Sequence, residues 1–202
     1  MKNRITIIII VLLAAGIGFF HYKYKRSPDK EDIKSYVRSF TGPKLLFKNA
    51  PDFEINLIDG TVFKLSDYLK NKIIIINFFT TWCGPCKMEI PELNSFYDRN
   101  KDSDIIMIGV DVGETTGTLN GFMHENKIHY PVAIAAKDSK IVTEYLISAF
   151  PTTVLIGYNG TVELYEQGAI MNAKMILDSR VKMSRNIRDK YKTIHVQGNI
   201  KR

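Results

Sequence analysis

Apolar positions fall along this chain in distinct patterns. "IIIINFF" (Ile73–Phe79) and "DIIMIGVDV" (Asp104–Val112) are nearly continuous apolar runs rich in β-branched residues, as strands buried on both faces require. "APDFEINLIDGTVFKLSDY" instead alternates around Asp59-Gly60. That predicts a hairpin with Phe53, Ile55 and Leu57 facing one way and Val62 and Leu65 bracketing the return strand. Ser66-Asp67 then reads as the cap of a short helix. "TTVLIGYNGTVELYEQG" repeats the hairpin signal around Asn159-Gly160. Helices are predicted from the cysteine motif to about Tyr97, with Pro91 as a kink, over 118–126, over "SKIVTEYL" and over "NAKMILDSRVKM". "YPVAIA" reads as a short strand. Strands alternating with helices, plus a terminal hairpin, predict an α/β sandwich around a mixed central sheet.

The N-terminus breaks this rhythm. Sixteen uncharged, mostly apolar residues, Ile5 to Phe20, lie between Lys2/Arg4 and Lys23/Lys25/Arg26. As a helix they span about 24 Å, short for a hydrocarbon core of roughly 30 Å, with Tyr22 and the lysines suited to the interface. Residues 1–22 read as an uncleaved membrane anchor; a cleaved signal peptide, with Ala14-Ala15-Gly16 as its small-residue site, is the alternative. Either places the rest of the chain outside the cytoplasm. Residues 23–47 read as a linker in which Ile33, Tyr36, Val37 and Phe40 fall at helical spacing, and 48–184 as the folded domain.

Charge sharpens this picture. The net charge is +7, yet residues 31–179 carry 14 basic and 19 acidic residues. The excess lies at the ends, six Lys/Arg against one acid in 1–30 and eight against one in 180–202. Nucleic-acid binding is not expected, because the basic charge is off the domain; basic ends suit an anionic membrane surface. In the tail, 185–202, residues Ile187, Tyr191 and Ile194 continue a spacing begun at Met183. It reads either as a basic amphipathic helix on lipid or as an extension of the last helix packed on the domain.

The chain has two cysteines, both in "NFFTTWCGPCKMEIP". The order is buried strand, Trp82-Cys83-Gly84-Pro85-Cys86, helix, which puts Cys83 at a helix N-terminus. Unpaired backbone N–H groups there favour a thiolate, so Cys83 is the expected nucleophile. Cys86, one turn on, is the expected resolving thiol. Pro85 is tolerated where no N–H is needed. A three-residue separation closes too small a loop for a useful staple. A structural zinc needs four ligands, and His21, His124, His129 and His195 are scattered. A c-type haem would need His where Lys87 stands. Redox exchange remains.

These residues resemble the thioredoxin superfamily, and more closely its membrane-anchored thiol-disulfide oxidoreductases typified by TlpA, ResA and CcmG. The resemblance covers about 48–180 and is carried by "APDF" (Ala50–Phe53), "LSD" (Leu65–Asp67), the cysteine motif and "FPTT" (Phe150–Thr153). It implies a thioredoxin-like three-layer sandwich with an N-terminal β-hairpin. Asn77 stands where thioredoxins resemble one another in carrying a buried acid. Glu89, three after Cys86, resembles the acid that takes over in the ResA-like pattern; the alternative is a solvated helix glutamate. Pro151 matches the family's cis-proline, which pairs substrate backbone, with Phe150 and Thr152 flanking the groove and Trp82 at its rim.

The resemblance also implies function. Anchored members mostly reduce thiols outside the membrane, including the Cys-x-x-Cys-His thiols of apocytochrome c, drawing electrons from a membrane dithiol carrier of the DsbD/CcdA type. Expected, then, are a protein thiol or disulfide as substrate, a monomer, the extracytoplasmic side of the bacterial cytoplasmic membrane, and no cofactor beyond the Cys83–Cys86 disulfide. A thioredoxin-like metallochaperone holding copper through its thiols is the alternative from another class. Such proteins want a longer cysteine spacing and a nearby histidine. A peroxidase of the peroxiredoxin type fits the Trp-Cys-Gly-Pro-Cys setting less well.

Overall fold

The computed structural model describes residues 44–199, with side chains described to residue 190. The predicted anchor, most of the linker and the end of the basic tail lie outside the described residues. Among the described residues no helix is long and apolar enough to cross a membrane.

Among the described residues seven strands and four α-helices follow one another: β1 (Glu54–Asn56), β2 (Val62–Lys64), β3 (Ile73–Phe79), α1 (Gly84–Asn100), β4 (Ile105–Val112), α2 (Thr116–Asn126), β5 (Val132–Ala135), α3 (Lys140–Glu144), β6 (Thr152–Ile156), β7 (Val162–Gln167) and α4 (Ala173–Asn199). β3 to β7 form a five-stranded sheet in the order β5-β4-β3-β6-β7. β3–β4 and β4–β5 are parallel, β3–β6 and β6–β7 antiparallel. The chain is thus a thioredoxin-like α/β sandwich with a mixed sheet. β1 and β2 pair separately as the predicted hairpin and reach the sheet edge where Ile58 N–H donates to the Val132 carbonyl, 2.9 Å.

The period-two alternation of β3 sorts the core. Ile73, Ile75 and Phe79 face α1, α2 and α4, packing with Ile90, Leu93, Phe96, Leu119, Phe122 and Leu177. Ile74, Ile76 and Phe78 face the other way, onto α3 and the hairpin through Tyr145, Val142, Phe53 and Phe63. Every residue of β3 is buried, so an apolar run with no alternation was its required signature. Asn77 interrupts the run on the α1 face.

Both hairpins use the same turn chemistry. Asp59 Oδ1 accepts from Thr61 N–H and Thr61 Oγ1, and Asn159 Oδ1 accepts from Thr161 N–H and Thr161 Oγ1. Gly60 (φ 86°) and Gly160 (φ 78°) supply the left-handed step that other residues avoid.

Four local expectations are corrected. Ser66 and Asp67 do not cap a helix; they lie inside a 3₁₀ turn, Leu65–Asp67, whose N-cap is Lys64. Ser66 N–H is bound instead by Asp52 Oδ1 across the chain, 3.1 Å. On the return strand Phe63, not Val62, points inward; Val62 is 55 % exposed. α1 runs through Pro91 to Asn100, beyond Tyr97. The domain begins before residue 48, since Leu45 is buried and Phe47 N–H donates to the Val162 carbonyl, 2.8 Å.

α4 is continuous past residue 184, held by a charged cluster at the start of β4. Asp104 accepts from Arg185 and Tyr158 and, at 3.2 Å, from Arg188 Nη1, whose guanidinium lies over the Tyr158 ring at 4.3 Å. The Arg185 guanidinium, ahead of the Tyr158 hydroxyl, holds the Asp104 carboxyl well below the usual carboxylate range. A depressed folded-state pKa adds stability that is present above the unfolded value, about 3.9, and fades as pH falls below it. Asp104→Asn is therefore expected to lower the urea midpoint at pH 7, with the gap to wild type closing between about pH 4 and pH 2. A gap independent of pH would show that the ion pairs are not the source.

Candidate active site

β3 delivers the cysteine motif at its C-terminal end. Cys83 N–H donates to the Thr80 carbonyl, 3.2 Å, closing the turn that starts α1. Cys83 is the N-cap, extended at φ −80°, ψ 106°, and Pro85 sits in the first turn. The Cys83 sulfur accepts from Cys86 N–H at 3.2 Å, so it occupies the place of a capping oxygen and faces an otherwise unpaired amide. The two cysteines form a disulfide with Cα atoms 5.3 Å apart. Cys86 is 1 % exposed and Cys83 5 %. Trp82, just before them, is 68 % exposed.

Glu89 lies one turn beyond Cys86 and is 4 % exposed, so it is not a solvated helix glutamate. Asn77 Nδ2 donates to Glu89 Oε1 at 2.7 Å and also to Thr153 Oγ1 at 3.0 Å. The Ile170 N–H donates to Glu89 Oε2 at 3.1 Å. Four segments meet here. Asn77 pairs in register with Thr153 on β6 and with Gly109 on β4, and Ile170 arrives on the loop between β7 and α4. Burial pushes the Glu89 carboxyl from 4.5 up to about 7, while the Ile170 and Asn77 hydrogen bonds pull it down. A carboxyl poised there exchanges a proton readily at neutral pH.

The Phe150–Pro151 peptide is cis. Phe150 packs edge-on against Trp82, ring centres 6.1 Å apart, which brings the proline loop to the cysteine motif. Pro151 and Thr152 are buried. The Thr152 side chain does not face a groove. Its hydroxyl donates to the Ala149 carbonyl, 2.7 Å, and it holds the loop from within. Of the predicted site residues, Trp82 and Phe150 form the accessible rim, Cys83 and Cys86 lie under it, and Glu89 lies deeper. Sequence reasoning missed Thr153 and the Ile170 amide. Thr153 stood in the "FPTT" motif without a partner to suggest its role, and a backbone N–H leaves no trace in residue identity. Among the described residues no group of three or more His, Cys, Asp or Glu is placed to hold a metal ion.

A strand-to-helix disulfide, a cis-proline loop against it and a buried carboxyl behind it define a thioredoxin-fold dithiol–disulfide exchanger. The AhpC/TSA family model matches residues 47–165. The chain is 32 % identical over 163 residues to the thiol-disulfide oxidoreductase ResA of Bacillus cereus, covering 80 % of this chain and 86 % of that protein. It is 35 % identical over 130 residues to ResA of Bacillus subtilis, covering 64 % and 71 %. Among solved structures, a thiol:disulfide interchange protein of Chlorobium tepidum superposes with a TM-score of 0.59 at 29 % identity, covering 67 % of this chain and 94 % of that one. The chain belongs to the AhpC/TSA family of thioredoxin-fold proteins and is a thiol-disulfide oxidoreductase of the ResA/DsbE type.

The raised Glu89 pKa has a consequence for stability. Between about pH 4.3 and 7 the unfolded chain has lost this proton while the folded protein keeps it. The contribution is therefore whole below about pH 4.3 and is lost as pH rises to about 7. In the oxidised protein Glu89→Gln should remove a decline on the order of 3 kcal/mol between pH 4.5 and 8, read from urea unfolding. Identical pH slopes in the two proteins would show that Glu89 titrates as an ordinary glutamate.

Proposed function

We propose that this protein is a membrane-tethered, extracytoplasmic protein disulfide reductase whose substrates include the Cys-x-x-Cys-His thiols of apocytochrome c. The observation that carries it is the buried Glu89 carboxyl beneath a capped cysteine pair. A reductase must deprotonate its second thiol in a place closed to water, and Glu89 is a base available there. The match to ResA-type relatives supports the substrate class, and the apolar stretch flanked by basic residues at 1–26 supports the location.

In the reduced enzyme Cys83, as thiolate, attacks one sulfur of the substrate disulfide. The Cys83–substrate bond forms, the substrate S–S bond breaks, and the departing substrate thiolate takes a proton from solvent. Glu89 accepts the proton of Cys86. The Cys86 thiolate then attacks the Cys83 sulfur, forms the Cys83–Cys86 disulfide seen in the structure and expels the second substrate thiolate. Two electrons have moved from enzyme to substrate. A membrane dithiol carrier of the DsbD/CcdA type restores the cysteines by the reverse exchange: the carrier becomes a disulfide and releases its own thiol protons to solvent, two electrons return to the enzyme, Glu89 gives its proton back to Cys86, and Cys83 is left as the thiolate. Trp82 and Phe150 border the incoming chain, and the Pro151 loop lies opposite the disulfide. No group beyond the two cysteines carries electrons, and the monomer suffices for every step.

Removing the resolving sulfur tests this. Full-length Cys86→Ser, expressed in its host, should retain substrates as mixed disulfides on Cys83, and the captured proteins should include extracytoplasmic Cys-x-x-Cys-His proteins. The Cys83/Cys86 couple should titrate as a reductant, near about −270 mV. A couple near about −120 mV, or captured proteins without that motif, would overturn the assignment.

A further inference from the structure

Tyr130 stands beside the Glu89 network and takes no part in the exchange just described. It is 2 % exposed, and its hydroxyl has no hydrogen-bond partner among the described residues. Its position follows from Gly109, the β4 residue paired in register with Asn77. A Cβ at Gly109 would come within 2.9 Å of Tyr130 Cε2 and 3.1 Å of Phe79 Cε1. The tyrosine ring therefore fills the space that Gly109 leaves open, immediately across the sheet from the asparagine that holds Glu89. The Gly109 N–H donates to the Pro131 carbonyl at 2.8 Å, which fixes the backbone next to Tyr130, and Tyr97 packs edge-on against the ring at 6.3 Å. Burial first, and the nearby Glu89 charge second, push the Tyr130 hydroxyl far above its ordinary value, so it stays protonated and within electrostatic reach of the carboxyl.

Chemistry at Glu89 leaves a role open for such a group. Both partners of the carboxyl, Asn77 Nδ2 and Ile170 N–H, are donors. Two donors suit a carboxylate. Once Glu89 has taken a proton it becomes a donor itself, and neither N–H can accept; turning the Asn77 amide to present its oxygen would give up the Nδ2 bond to Thr153. A buried O–H without an acceptor costs about 1–3 kcal/mol. A tyrosine hydroxyl can accept as well as donate. Glu89 is bonded by Asn77 from β3, backed by Thr153 from β6, and by the Ile170 amide from the β7–α4 loop; Cys86 lies one turn before it on its own helix, and the Tyr130 ring from the segment before β5 lies at Gly109, the register neighbour of Asn77. Cys86 gives up the proton in question, and Thr153 Oγ1 already accepts from Asn77.

We propose that Tyr130 is a positioning residue for the exchange reaction: its hydroxyl oxygen accepts the hydrogen bond of protonated Glu89 and so helps Glu89 hold the proton released by Cys86. In the oxidised form the Tyr130 hydroxyl is buried and unpaired, and the proposed bond forms when Glu89 is protonated. The functional half of this inference rests on Glu89 acting as proton acceptor. The structural half does not, and the two are measured apart.

The test is Tyr130→Phe in the full chain, which removes one oxygen and keeps the ring. In the oxidised protein no cysteine titrates, so a ¹³C NMR titration of the Glu89 carboxyl reads its proton affinity alone. Tyr130→Phe should lower that pKa by about half to one unit, the net worth of one hydrogen bond. An unchanged or raised value would overturn the proposal. In the reduced protein the variant should slow resolution at neutral pH by about two- to fivefold and move the Glu89 limb of the pH profile down by the same half to one unit. In a Glu89→Gln background it should add nothing. An equal slowing there would mean that the ring acts by packing alone, and would also overturn it. A lowered Glu89 pKa with rates indifferent to Glu89→Gln would support the Tyr130–Glu89 contact and instead remove Glu89 from the mechanism.

Discussion

The 2.7 Å hydrogen bond from Asn77 to Glu89 ties the middle of the central sheet to the second turn of the helix that carries both cysteines. Much else is arranged around it. β3 must be buried on both faces for Asn77 to sit away from water, which requires helices above and the hairpin with α3 below. α1 must start at Cys83, directly after the strand, for Glu89 to fall opposite Asn77. The chain must return through β6 and β7 to bring Thr153 and Ile170 to the same point. Residues 77, 89, 153 and 170 are distant in sequence, so the environment of the carboxyl exists only once the whole domain has closed. That links folding to chemistry: the burial that raises the Glu89 pKa is the burial that stabilises the sheet.

The site separates its tasks by depth. At the surface, Trp82 and Phe150 meet edge-on and leave an apolar rim. Beneath them the Cys83 sulfur occupies a helix-cap position, where the amide of Cys86 and the positive helix end favour a thiolate. Deeper still, the Glu89 carboxyl is buried and met by two neutral donors, Asn77 and the Ile170 amide. In the proposed mechanism attack and resolution are therefore governed by different physics, a helix terminus for the first sulfur and a desolvated carboxyl for the second. Neither needs a charged partner in contact with the disulfide.

Much of this was legible in the residues. Continuous β-branched runs gave β3 and β4 because a strand buried on both faces has no polar positions to alternate with. The Asx-Gly pairs marked both hairpins because their side chains and left-handed glycines make the turn. The cysteine spacing and the strand-to-helix context identified the chemistry, and Glu89 was found through resemblance and helical spacing. The misses share a cause. Ser66 carries a cap-forming side chain, but tertiary contact with Asp52 decided its place. Thr152 looked like a groove residue, yet its hydroxyl turns inward to its own loop. The Ile170 amide and the space above Gly109 are properties of the folded backbone, and residue identity carries no record of them.

The proposed exchange depends on Glu89 taking the Cys86 proton at the moment of resolution. The most direct measurement is the rate of product release from a preformed Cys83–substrate mixed disulfide, followed by stopped flow from pH 5 to pH 9 in wild type and Glu89→Gln. That role requires an ionisation near pH 7 in the wild-type profile that is missing from the variant, whose rate should then rise only as the Cys86 thiol itself ionises. Superimposable profiles would contradict it.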